Sequence, residues 1–174
     1  MYEVDERDRV VSLPDLPQSS VGAPIPVLLS DEFTLVIAFY LQGHIKLDER
    51  WLRIVELDQG GEPIAIVRFI QCYAYMFGPP NDEAFHGHPL AARGLHPYGA
   101  YVIEHSSWIR RLEQMNAVHP AHEPSFFSSL RHYVLAFHDS TLECVAPSYE
   151  IVLATGTPSA AIPEMRRMLS RERL

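Results

Sequence analysis

The chain has 174 residues, 47% of them hydrophobic and 21% charged, the proportions of one ordinary globular domain large enough to hold a core without a staple. Its formal charge of −8 repels phosphate backbones and anionic lipid surfaces at long range, so neither nucleic acid nor a membrane is an expected partner. A charged, acidic start with no secretory pattern, and no apolar run near the roughly 20 residues of a membrane helix, point to a cytoplasmic protein.

Residues 1–26 carry Pro14, Pro17, Pro24 and Pro26 among charges and serines, a composition that predicts an extended arm rather than a helix. β-Branched and aromatic runs over 27–29 and 33–41, parted by Ser30-Asp31-Glu32, predict a short strand, a turn and a long buried strand. The runs 51–57 and 64–77 flank Asp58-Gln59-Gly60-Gly61-Glu62, and paired glycines there predict a hairpin.

Residues 78–98 are dense in Gly, Pro and His without periodicity. That exceeds the roughly 12 to 15 residues of ordinary structureless loops, a length that goes with function or disorder. A strand over 101–104 follows, then Ser106-Ser107 as cap of a helix over 108–118 whose Trp108, Leu112 and Met115 recur at helical spacing. A helical turn over 124–130, a hairpin of 133–137 with 142–146, a strand over 149–154 and an amphipathic helix over 163–174 complete the chain. Hairpin-linked strands with one well-patterned late helix predict an α+β fold: a predominantly antiparallel sheet, the main helix packed on one face, and a short C-terminal helix. The organisation expected is an arm (1–26), a single domain (27–156) and a tail helix (157–174).

Several chemistries lack their residues. Lys46 is the single lysine and has no Gly-rich cradle, which removes phosphate-loop, Schiff-base and Ser-Lys mechanisms. Cys72 and Cys144 lie far apart inside apolar runs, as buried free thiols of a reducing compartment do. The basic tail residues Arg166, Arg167, Arg171 and Arg173 alternate with Glu164 and Glu172, the pattern of an exposed helix end.

Candidate site residues concentrate in the long loop. His86 and His88 would point to one side of an extended backbone and share a divalent metal, with Asp82 or Glu83 adding an oxygen; the alternative is a pair of hydrogen-bonded loop histidines. His138-Asp139-Ser140 spells triad letters, but neighbours on a strand diverge, so a turn is the plainer reading. One variant survives: His138 meeting the 78–98 loop across the sheet end, as acid/base with Glu83, Asp82 or Glu104. Cys144 beside His138 reads as core filler, and His96, His105, His119, His122 and His132 as element-end histidines, with pH sensing the alternative.

Two functions follow as expectations. One is a small-molecule site, catalytic or binding, with His86, Glu83 and His138 as catalytic groups. Asp82, Tyr73, Tyr75, Arg93 and Trp108 would line it, and a divalent metal on His86 and His88 would be its cofactor. The other is a non-catalytic adaptor or subunit that grips a protein partner, or a second copy of itself, through the arm and the arginine-bearing tail.

Overall fold

The computed structural model describes residues 2–42, 54–56 and 61–170. In chain order its elements are β1 (Arg9–Ser12), β2 (Val27–Ser30), β3 (Thr34–Tyr40), β4 (Ile54–Glu56), β5 (Glu62–Ile70), β6 (Ala74–Gly78) and β7 (Ala100–Glu104). Then come α1 (Ser107–Asn116), α2 (Pro124–Ser129), β8 (Arg131–Ala136), β9 (Thr141–Ala146), β10 (Ser148–Gly156) and α3 (Ile162–Leu169). The fold is α+β with antiparallel pairing, its strands divided between two five-stranded sheets ordered β1-β7-β8-β9-β6 and β2-β3-β5-β10-β4. Of the ladders, β4 with β10 is parallel.

The division arises at Gln71. The run 64–77 reads as one strand, but Gln71 takes a left-handed φ of 50°, which ends β5 in one sheet and lets β6 start in the other. Strands that bend to change sheets build the corners of packed sheets. The predicted hairpin of 51–57 with 64–77 is also corrected: β10 lies between β4 and β5, pairing with both. Gly61 shows why, because a Cβ there would collide with the backbone of Gly156 at the end of β10. Trp51, Leu52, Arg53, the turn residues 57–60, Lys46 and the last four residues, Arg171 and Arg173 among them, lie outside the described residues.

The two sheets face each other. Leu35, Ile37 and Phe39 of β3 and Val67 and Phe69 of β5 meet Tyr133 and Leu135 of β8 and Leu142 and Cys144 of β9 in one buried cluster. The alternate residues of β3 and β5, Val36, Ala38, Ile64 and Ile66, face outward against Met165 and Met168 of α3. Those strands are therefore buried on both faces and read as unbroken apolar runs rather than as alternation.

The outer face of the other sheet is covered by three pieces. Phe85, Leu90 and Leu95 of the long loop lie over Ile103, Val134 and Ala136, while Tyr2, Trp108 of α1, and Phe127 and Leu130 at α2 enclose Val145. Ser106 caps α1 as expected, its Oγ accepting from the Ile109 N–H. Met115, expected on the packed stripe, is 63% exposed, because the helix lies on the sheet by its first turns.

Residues 2–26 are largely extended and held to the body. β1 pairs with β7, Leu16 enters the inter-sheet core, and Ser19 bridges Leu41.

Candidate functional site

The long loop spans the outer face of one sheet and touches the β8–β9 hairpin at two places, one open and one buried. The open one is built where β8 ends. Phe137 N–H donates to Ser140 O, closing the turn and presenting His138. Asp82 N–H donates to His138 O at 2.8 Å, which anchors the loop against that turn. Asp82 then returns a side-chain contact: His138 Nδ1 lies 3.0 Å from Asp82 Oδ2 and 3.0 Å from the Tyr98 hydroxyl.

Tyr98 O–H donates to Asp82 Oδ2, so the Nδ1–H of His138 is the group that satisfies both oxygens. The imidazole is 39% exposed, and its Nε2 makes no hydrogen bond among the described residues. Tyr98 holds this geometry from a left-handed φ of 59°, a conformation uncommon for an aromatic residue and concentrated at functional positions. The hydrogen bond from Tyr98, then that from His138, holds the Asp82 carboxyl below its usual range. The same bond to Asp82 pushes the Tyr98 phenol up to about 12. Asp82 therefore stays ionised opposite His138 across the neutral range, the relation of an orienting acid to an acid/base imidazole.

The buried contact is a polar quartet that sequence reasoning missed. Glu143 of β9 points to the outer face of its sheet. There it accepts from Tyr2 O–H at 2.6 Å, from His132 Nε2 at 2.9 Å and from His88 Nε2 at 3.2 Å. His88 Nδ1 in turn accepts the Leu90 N–H, which fixes its tautomer with the proton on Nε2. His132 Nδ1 meets Ser106 Oγ, the α1 cap, at 3.0 Å. Burial pushes the Glu143 carboxyl up, but the bonds from His132 and His88, the electrostatic pull of His132 and the bond from Tyr2 outweigh it and hold the group down at about 2. Burial and the Glu143 charge push the Tyr2 phenol far up. The one sequence signal for this cluster is a glutamate inside the apolar strand 142–146.

The remaining expected site residues are dispersed. His86 is exposed whereas His88 is 4% exposed, because the segment is not one extended run: His86 sits in the 3-10 turn Phe85–Gly87 and His88 is the extended residue that ends it, so the alternation that would put both rings on one side is broken. The His88 ring is spent on Glu143 and Leu90. No group of three or more His, Cys, Asp or Glu side chains is arranged to hold a metal ion among the described residues.

Glu83 is exposed, its N–H donating to Asp82 Oδ1, and Glu104 pairs with Arg9. Arg93 donates to the Asp8 carbonyl, tying the loop to the N-terminal segment. Trp108 stacks on Tyr2 in the core. Tyr73 packs edge-on to Phe126 and Phe127, and Tyr75 bonds Ser30 across the sheet edges. Cys144 is fully buried, its thiol pushed up by that burial. Asp82, Tyr98 and His138 are thus the groups that converge at the surface, and the chain matches no protein-family model, no curated protein and no solved structure.

Proposed function

We propose that the protein binds and acts on a small molecule at the surface cluster of Asp82, Tyr98 and His138, with His138 Nε2 as the atom that takes up or delivers a proton. What supports this reading is the fixed Nδ1 side of the ring: both of its acceptors come from the loop, so Nε2 is aimed outward in one orientation. Asp82 is the positioning residue, and Tyr98 holds Asp82. Glu83 and His86, exposed on the same loop, are the side chains available to contact the molecule.

An activated ester such as p-nitrophenyl acetate tests the chemistry whatever the natural substrate is. A general base at Nε2 activates water, the acyl–oxygen bond breaks, and acetate and p-nitrophenolate leave. The second-order rate constant is expected to fall roughly 10²-fold in His138→Ala and in part in Asp82→Asn, while His119→Ala reacts as the native chain does. Equal rates for the native chain and a folded His138→Ala variant would defeat the proposal.

A second reading, a subunit that binds a protein, draws its support from a strand edge rather than from the arm, which is held to the body through β1 and Leu16 and leaves Val21 and Ile25 exposed. β6 is the last strand of its sheet, and Tyr73 just before it and Tyr75 and Phe77 along it are 39%, 42% and 41% exposed. An edge strand with exposed aromatic residues favours pairing with the same strand of a second copy. Sedimentation equilibrium checks it: a dimer that Phe77→Lys converts to monomer supports this reading, and a monomeric native chain removes it.

A further inference from the structure

A cavity of about 540 Å³ opens between the N-terminal segment and α1, within the roughly 300–1,000 Å³ of small-molecule sites. One wall is a helical stripe at i, i+3, i+4 and i+7: Ser107, Arg110, Arg111 and Gln114. The facing wall is supplied by residues 2–7, with Tyr2 at its inner end and Arg7 at its outer one.

Three guanidinium groups, those of Arg7, Arg110 and Arg111, border the cavity together with the carboxylates of Glu3 and Asp5, and the buried Asp8 carboxylate accepts the Ser107 N–H beside it. Asp5 Oδ2 is shared between Arg7 and Arg110, and Arg110 is further held by the His105 carbonyl. Arg110 is thereby oriented without being neutralised by a carboxylate of its own. Arg111 makes no ion pair among the described residues; its one hydrogen bond is a 3.5 Å contact to Gln114.

Ser107 adds an independent sign. It is 8% exposed, and its Oγ is buried with no hydrogen-bond partner among the described residues, although buried hydroxyls nearly always have one. A hydroxyl in want of an acceptor, beside guanidinium groups with capacity to spare, is the donor set of an anion site.

We propose that this cavity binds a small oxyanion, the carboxylate or phosphate of a metabolite, on Arg111 and Arg110 with Ser107 Oγ as the inner donor. This site is separate from the Asp82–Tyr98–His138 cluster. Calorimetric titration of the full chain with inorganic phosphate and, separately, with succinate tests it, with KCl at matched ionic strength as the blank. Saturable one-to-one binding of at least one anion is expected, weakened about tenfold or more in Arg111→Ala and several-fold in Ser107→Ala, and unchanged in His138→Ala. Phosphate alone identifies a phosphate-bearing ligand, succinate alone a carboxylate, and both an oxyanion site of either kind. No heat from either anion up to about 10 mM, a Kd range of negligible affinity, overturns the proposal. So does affinity undiminished in Arg111→Ala, a change at an exposed side chain that leaves the fold intact.

Discussion

Glu143 is a carboxylate that is 6% exposed, and it survives there because three donors, on Tyr2, His88 and His132, replace water. Its folded value of about 2 lies below the 4.5 of an ordinary glutamate. The sign follows: the stabilisation is fully present above pH 4.5 and drains as the pH falls from there toward 2. The size is on the order of 3 kcal/mol for a shift of this extent. Urea unfolding between pH 6 and 2.5 is expected to show that loss in the native chain, and Glu143→Gln is expected to lack the slope. An acid slope equal in both chains would place the titration on another group. Tyr2→Phe, which removes one donor to the charge, is expected to cost about 1.5–3 kcal/mol at neutral pH. At this scale the sequence is half legible. It brings His138 to the long loop with Glu83, Asp82 or Glu104 as its acid, because a turn and a long loop are local features, but it does not choose among the three; Tyr2 and Glu143, 141 positions apart, carry no local sign of each other.

The elements themselves are legible wherever turn or cap chemistry is local: Ser106 before α1, Asp31 before β3, the tight turn between β8 and β9. What escapes is neighbourhood. Gly60-Gly61 is a sound turn signal, yet β4 and β5 are not partners, since the chain returns much later to insert β10 between them. Gln71 likewise carries no glycine or proline to announce the corner at which one apolar run changes sheet. Gly61 gives a direct test of the insertion. Gly61→Ala drives a methyl into the Gly156 backbone and is expected to destabilise the chain by about 1–3 kcal/mol. A simple β4–β5 hairpin would tolerate it. Removing residues 2–12 provides a second test, because it strips β1 from β7 and Tyr2 from Glu143. Loss of cooperative thermal unfolding is expected, where a detachable arm would leave the melting temperature unchanged.

As a whole the molecule is two sheets pressed together, each with a different outer cover: one helix, α3, on one side, and the loop, α1, α2 and the N-terminal segment on the other. The candidate surface site and the oxyanion cavity both belong to the second side, so the first side and the inter-sheet core serve as their rigid support. That division makes a testable statement about opening. Cys144 has no exposed surface and Cys72 is 8% exposed, both within the inter-sheet cluster, and both are free thiols. Cys144 reacts with an external disulfide reagent only if the sheets separate. Phe39 and Phe137 bridge the sheets with ring centroids 5.1 Å apart, and Phe137→Ala is expected to cost about 3–5 kcal/mol. If parting the sheets is the global unfolding event, that substitution should speed Cys144 labelling by about 10²-fold or more under native conditions, in step with its loss of stability toward urea. Labelling of Cys144 that is fast in the native chain, or indifferent to Phe137→Ala, would mean instead that the sheets part locally, and the sandwich could not be the fixed frame on which both sites depend.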